Sequence, residues 1–134
     1  MKNNKKYIDT YSTIYGVDLV VANKNVTLKD LQNKYTYSDD RELDDIDCIA
    51  STSYCKNKNT NRYTILVRYN HDSKVKGIDK RLDFINTCSH EATDVVMAIY
   101  HYINEKIFPE DSNELLANLV GWATECIYKT WTKK

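Results

Sequence analysis

Proline and glycine are scarce in this sequence, with one proline and three glycines among 134 residues. Because these two residues interrupt regular structure, their scarcity predicts long helices and strands with few tight turns. The three glycines, Gly16, Gly77 and Gly121, are isolated from one another. A glycine-rich phosphate-binding loop needs several glycines within a few residues, so the sequence excludes that class of site.

An excess of charge and a long apolar run are also absent. The chain has 19 basic and 19 acidic residues, which gives a formal net charge of zero. A broad nucleic-acid surface needs a basic face, so we expect no nucleic-acid partner. No run approaches the roughly 18 apolar residues of a membrane span, and the basic first six residues lead into no apolar signal segment. We therefore expect a cytoplasmic protein with no membrane association.

The four cysteines, Cys48, Cys55, Cys88 and Cys126, lack the CxxC spacing of metal and redox motifs. They fall inside segments that we predict to be strands or helices. We therefore expect buried free thiols in a reducing compartment rather than disulfides.

Secondary-structure patterns divide the chain into a strand-rich half, residues 7–70, and a helical half, residues 78–131. Apolar residues recur at three- and four-residue spacing through most of the second half, from Leu82 to Ile103 and from Leu115 to Ile127. This segregation predicts an α+β fold, with a small N-terminal antiparallel sheet followed by two long C-terminal helices. We expect one domain over residues 1–134.

The strand-rich half contains three segments with the composition of strands, at residues 10–22, 48–56 and 62–69. Residues 27–30 (TLKD) have the pattern of a helix start and predict a short helix to about residue 34. The six acidic residues within 38–47 indicate a solvated loop.

The helical half contains a pattern typical of metal ligands, His90-Glu91-x-x-Asp94. On a helix, His90 and Asp94 project from one face one turn apart, so both can bind one metal ion. Glu91 is rotated by about 100° from His90, where a carboxylate can reach a metal-bound water. This is the logic of the H-E-x-x-H motif with aspartate in place of the second histidine. The alternative explanation is a solvated polar helix face that binds no metal.

Glu114, which follows Asp94 by 20 residues, is the candidate third ligand from the first turn of the last helix. The alternative is a capping role, because residues 111–114 (DSNE) have the pattern of a capping box. Convergence of three ligands requires the polar faces of the two helices to meet. Gly121 lies on the polar face of the last helix at a cost of about 1 kcal/mol relative to alanine, which indicates close approach of a second backbone there.

Residues 90–94 (HEATD) and 113–122 (NELLANLVGW) together resemble the small zincin-type metallopeptidase domains of bacteriophage and prophage proteins. In that family an HExxH helix is followed by a helix that begins with an acidic residue and continues into an aromatic, Leu-Val-Gly-Trp-like run. The resemblance covers roughly residues 85–128 and implies a minimal zincin-like domain with a zinc ion. By this resemblance the metal ligands are His90, Asp94 and Glu114, and the general base is Glu91.

Asp94 departs from the family pattern, which has histidine at that position. Aspartate binds zinc at about 2.0–2.2 Å, but its negative charge makes the metal a weaker Lewis acid and loosens the preference for zinc. We therefore expect one of two functions. The first is a metal-dependent, peptidase-like hydrolase that acts on a peptide or protein. The second is a catalytically degenerate binding protein of phage origin that acts through protein–protein interaction in a bacterial cytoplasm.

Three further residues are unranked candidates for an oxyanion donor, namely Arg68, Tyr100 and Tyr128. The strand at residues 62–69, if it forms a sheet edge, could bind an extended peptide by strand addition. His101 shares the helix face of His90 but lies about 16 Å away by helix rise, so the two cannot bind the same ion.

Overall fold

The computed structural model of the protein describes residues 4–70, 77–104 and 113–134. An α+β fold is confirmed, with a five-stranded sheet followed by two long helices. The first two residues of the predicted capping box at residues 111–114 lie outside the described residues. The elements are β1 (Ile8–Ser12), β2 (Asp18–Ala22), α1 (Leu28–Gln32), β3 (Tyr35–Tyr37), β4 (Ala50–Asn57), β5 (Tyr63–Tyr69), α2 (Ile78–Ile103) and α3 (Glu114–Thr132).

The sheet has the strand order β1-β2-β5-β4-β3 and is mixed rather than purely antiparallel, because β2 and β5 are parallel. The other three pairs are antiparallel, as the sequence predicts. After β2 the chain forms α1 and crosses to the far edge, where β3 begins, and then returns through β4 to place β5 beside β2. The strand β5 is therefore central, and the prediction that residues 62–69 could form a sheet edge is wrong.

Alternating side chains of β5 supply two hydrophobic cores, one on each face of the sheet. Ile65 and Val67 belong to the core under α2 and α3, whereas Leu66 belongs to the core on the opposite face. Both faces of the central strand are covered, so almost all of β5 is buried. The strand predicted at residues 62–69 is thereby confirmed, with its alternate side chains on opposite faces of the sheet.

The helix α2 lies over β4 and β5, and α3 lies over β2 and β1. The predicted apolar stripe of α2 is confirmed from Cys88 to Ile99, where its members are buried. It is wrong at Leu82 and Ile85, which are 54% and 52% exposed. A 26-residue helix spans about 39 Å and an eight-residue strand about 27 Å, so α2 is longer than the strand beneath it.

The second face of the sheet is covered by α1 and by the acidic loop over residues 38–49. The capping box at Thr27 and Asp30 is confirmed, since each residue's side chain accepts the other's backbone N–H. The loop carries one buried side chain, Leu43, and Arg68 of β5 donates to the carbonyl oxygen of Asp44. This apolar anchor and several hydrogen bonds, among them the one from Arg68, hold an otherwise solvated loop against the sheet.

All four cysteines are free thiols, as the sequence predicts. Three of them are buried, but Cys48 is exposed because it precedes β4 and lies in the loop. No helix within the described parts of the chain is both long enough and apolar enough to cross a bilayer.

Candidate metal centre

The helix α2 presents His90 and Asp94 to solvent from one face. Their side chains are 75% and 48% exposed, and His90 Nε2 lies 3.4 Å from Asp94 Oδ2. A separation of four residues on a helix stacks side chains one turn apart, so this contact follows directly from the sequence spacing. The predicted pairing of these two side chains is present in the structure.

Glu91, beside this pair, extends into the interface between α2 and β4. It is 3% exposed, and its Oε2 accepts a hydrogen bond of 2.9 Å from Thr52 Oγ1. Burial raises the pKa of this carboxyl, the Thr52 hydrogen bond partly opposes the shift, and the nearby charge of Asp94 adds to it. Glu91 is therefore a buried carboxylate with one fixed partner, beside an exposed pair.

The three side chains form a group of the kind that could hold a metal ion. One polar atom from each of His90, Glu91 and Asp94 lies within 4.8 Å of the other two. Two ligands of a tetrahedral ion, each at about 2.1 Å, are about 3.4 Å apart, which matches the contact between His90 and Asp94. One imidazole and two carboxylates also balance the charge of a divalent ion. The donor set fits a metal, although an ion pair alone explains the same distance.

An open cleft of about 460 Å³ adjoins the group. It lies where the segment before β4 faces the middle of α2, and Glu91 forms part of its wall despite being almost fully buried. A carboxylate at the wall of a cleft can reach a bound molecule without exposure to bulk solvent. The lining residues are Cys48, Ile49, Ala50, Asn86, Thr87, His90 and Glu91.

The first half of β4 forms a free sheet edge beside this cleft. Because β3 pairs only with the last three residues of β4, no described strand covers residues 50–53 on the side away from β5. The Ser38 amide donates to the Tyr54 carbonyl on that side, so even-numbered residues of β4 direct their backbone groups outward. Ala50 and Thr52 consequently direct backbone N–H groups toward an unpaired edge next to Glu91.

Glu114 is exposed at the first residue of α3 and is not a member of the group formed by His90, Glu91 and Asp94. Asn113, the N-cap of α3, makes no side-chain capping hydrogen bond. Neither the third-ligand role nor the capping role is thereby decided, and Glu114 as a ligand stays a prediction.

The polar faces of α2 and α3 do not meet, contrary to the expectation from Gly121. The two helices pack through apolar side chains that include Val96, Ala123 and Ile127. A β-carbon placed on Gly121 would contact nothing within 4 Å, so no backbone approaches it closely. The polar face of α3 is solvated because the apolar stripes of both helices are needed against the sheet.

The candidate oxyanion donors lie in different parts of the fold. Arg68 is on the opposite face of the sheet, where it bonds the acidic loop, and it is therefore separated from Glu91 by the sheet itself. Tyr100 is buried in the core under α2, and Tyr128 lies on α3 near Phe84. None of the three lines the cleft beside Glu91.

Thr52 is the functional candidate that the sequence analysis misses, because its importance arises from a contact 39 residues along the chain. The burial of Glu91 does have a signal in the sequence. Glu91 follows Cys88 by three residues and precedes Val95 by four, so it lies inside the apolar stripe of the helix. A carboxylate within such a stripe predicts a buried acid that needs a partner.

Comparison with known proteins gives no match of any kind. No family model, no curated protein and no solved structure matches this chain. The resemblance to zincin-type domains therefore rests on residues 90–94 and 113–122 alone.

Proposed function

We propose that this protein is a metal-dependent hydrolase that acts on an extended peptide, with His90 and Asp94 as metal ligands and Glu91 as the general base. The observation that carries the proposal is the convergence of these three side chains within 4.8 Å, with His90 and Glu91 lining a cleft beside an open strand edge. A divalent ion at this place, zinc or a related metal, would supply Lewis acidity and a more acidic bound water.

Glu91 is suited to the role of the base by its surroundings. Its carboxyl is desolvated, which brings its pKa closer to neutral pH and makes it a stronger acceptor of a proton from water. The Thr52 hydroxyl holds one carboxylate oxygen at 2.9 Å, which fixes the orientation of the group. The second oxygen is then available to take the proton of a water and to transfer it to a leaving amine.

The substrate class follows from the free edge of β4. An extended peptide that pairs with Ala50 and Thr52 would continue the sheet by strand addition and pass directly beside Glu91. The proposed peptide-binding strand is therefore β4 and not the strand at residues 62–69, because the latter lies in the centre of the sheet. Main-chain hydrogen bonds would supply affinity with little dependence on the peptide sequence. We therefore expect a hydrolase of broad substrate specificity.

Metal content and hydrolysis test separate parts of the proposal. We expect the purified protein to bind about one equivalent of zinc or manganese, measured by calorimetry and elemental analysis, and His90→Ala and Asp94→Asn to abolish that binding. Glu91→Gln should retain the metal and reduce hydrolysis of an unstructured protein substrate by about 100- to 10,000-fold. His101→Ala, which changes an exposed histidine on the same helix, is the matched control.

The outcomes distinguish the possible roles of Glu91. Loss of metal in Glu91→Gln would make this residue a ligand rather than the base, and undiminished hydrolysis in that variant would overturn the mechanism.

Glu114→Gln tests the predicted third ligand, since this substitution should weaken metal binding only if Glu114 is a ligand. Ala50→Pro removes an outward N–H at the first residue of β4, where proline is tolerated, and should raise KM if the edge binds peptide.

The second candidate function is a non-catalytic binding protein that uses the same open edge. It is favoured by the fact that, among the residues that the structure describes, one imidazole and two carboxylates come together and Glu114 lies outside the group. In that case metal is absent from the purified protein, and Ala50→Pro weakens capture of an extended peptide while His90→Ala does not. The phage origin and bacterial host of such an accessory protein come only from the resemblance.

A further inference from the structure

Four aromatic side chains form a second cleft at the carboxyl end of α2, which we call the aromatic cleft. Tyr54 of β4 and Tyr63 of β5 supply two rings, and His101 and Tyr102 in the last turn of α2 supply the others. Ser38 completes the lining, and the cleft has a volume of about 490 Å³. It is separate from the candidate metal centre, with which it shares no lining residue.

The rings contact one another mainly edge to face. The Tyr54 ring lies 5.4 Å from that of His101 and 5.7 Å from that of Tyr102, at interplanar angles of 62° and 69°. Tyr63 contacts Tyr102 at 5.3 Å. Two of the rings remain accessible to solvent, since Tyr54 and Tyr63 are 43% and 50% exposed. The face of an aromatic ring carries negative potential, so exposed rings that line one cleft can attract a cation.

The end of α2 adds to this attraction. The helix has 26 residues and ends at Ile103, one residue after Tyr102. The carboxyl end of a long helix carries a partial negative charge that favours a nearby cation. The ammonium of Lys56, which lies close enough to Tyr63 to interact with it electrostatically, is held by Asp40 at 2.6 Å, so its charge is balanced.

The lining also indicates which cation fits. The described residues that line the aromatic cleft include no carboxylate. Divalent metal ions need several oxygen or charged ligands, so an inorganic dication is a poor match. An alkylammonium group is weakly hydrated and is attracted by ring faces without any carboxylate. From these observations we propose that the aromatic cleft is a binding site for an alkylammonium cation, whether a free quaternary ammonium compound or the side chain of a lysine or methylated lysine.

The test uses choline and its uncharged carbon isostere, 3,3-dimethyl-1-butanol, as probes of the full-length protein. The tyrosine ring resonances are followed by NMR during each titration. We expect choline to shift the resonances of Tyr54 and Tyr63 with a dissociation constant in the millimolar range. The isostere has the same shape without the charge, so it should bind at least about fivefold more weakly.

Substitutions of one ring wall give the second measurement. Tyr54→Leu and Tyr63→Leu should each weaken choline binding about two- to fivefold, whereas Tyr54→Trp should retain or strengthen it because indole is the better cation acceptor. Tyr128→Leu is the matched control, since Tyr128 is 52% exposed but lies near Phe84 on another part of the surface. Circular dichroism of each variant confirms that the fold is retained.

Equal affinity for choline and its isostere would overturn the proposal, because binding would then be hydrophobic. The absence of any shift, or shifts that Tyr128→Leu removes as readily as Tyr54→Leu, would also overturn it. Two further probes identify the source of the cation. They are Nα-acetyl-lysine amide, whose side-chain ammonium is free, and the same compound with that ammonium trimethylated. Tighter binding of either than of choline identifies a peptide side chain, and the reverse order identifies a free small molecule.

Discussion

The two faces of α2 around residues 90–94 place similar polar groups in opposite surroundings. On the outer face, His90 and Asp94 form an exposed pair at 3.4 Å. On the inner face, Glu91 is buried against β4 and bonded to Thr52. An exposed pair of this kind is common on protein surfaces and gives little information about function. A buried carboxylate is uncommon because removing its charge from water is costly.

The energies of the two arrangements explain that difference. An exposed ion pair contributes about 0–1 kcal/mol, so selection for stability acts only weakly on His90 and Asp94. Removing a carboxylate from water costs several kcal/mol, and a hydrogen bond to a charged group contributes about 1.5–3 kcal/mol. Glu91 is thus tolerated by the fold rather than required by it. Strained or desolvated titratable groups of this kind concentrate at functional sites.

The largest effect in this comparison is expected for the apolar part of the inner face. Ile99 is fully buried under α2, and Ile99→Ala should lower the free energy of unfolding by about 2–5 kcal/mol because it leaves a cavity. Met97, two residues earlier, is 42% exposed, and Met97→Ala should stay within about 0.5 kcal/mol. Urea denaturation measures both values. Similar losses for the two variants would show that the outer face of α2 is covered in solution.

A smaller effect is expected from the partner of Glu91. Thr52→Val keeps the shape of the side chain but removes the hydroxyl, which leaves the buried carboxylate without its hydrogen bond at a cost of about 1–3 kcal/mol. Thr93→Val is the control, because the Thr93 hydroxyl bonds only the Ser89 carbonyl on the exposed face. We expect that variant to change stability by less than about 0.5 kcal/mol. Equal stability of both variants would mean that the bond between Thr52 and Glu91 does not form.

The sequence predicts the fold well where the signal is local. Helix periodicity from Cys88 to Ile99, the capping box at Thr27 and the strand composition of β5 all depend on residues within a few positions of each other. The parallel pairing of β2 with β5 is not local, since β3 and β4 intervene in the chain. No short pattern encodes such a pairing, and the predicted sheet was therefore purely antiparallel.

The candidate site shows the same limit. The stacking of His90 on Asp94 follows from a spacing of four residues and could be predicted. The contact between Glu91 and Thr52 joins a helix to a strand and could not. Gly121 shows how a reasonable inference fails, because a glycine on a polar face indicated a close helix contact, yet the space around it is open. Where two helices meet is decided by their apolar stripes and the sheet, which single residues do not reveal.

The smallest effect concerns the pH dependence of stability, and it distinguishes the two faces most directly. Burial raises the pKa of Glu91 above its ordinary value of 4.5, so above that pH the folded state binds more protons than the unfolded state. The free energy of unfolding therefore falls as pH rises through this interval. Glu91→Gln keeps an acceptor for the Thr52 hydroxyl but does not titrate.

The stability of Glu91→Gln relative to the natural chain should accordingly increase from below pH 4.5 toward neutrality and then level off. Urea denaturation at a series of pH values, with a chelator present to remove any metal, gives this difference directly. Glu125→Gln on α3 is the control, because Glu125 is exposed and lies 2.9 Å from Lys129 rather than in the core. The contrary result is that the free energy of unfolding of each variant differs from that of the natural chain by the same amount at every pH. Such a result would mean that Glu91 is solvated in the folded protein. It would then lack the desolvation on which its proposed role as a base depends.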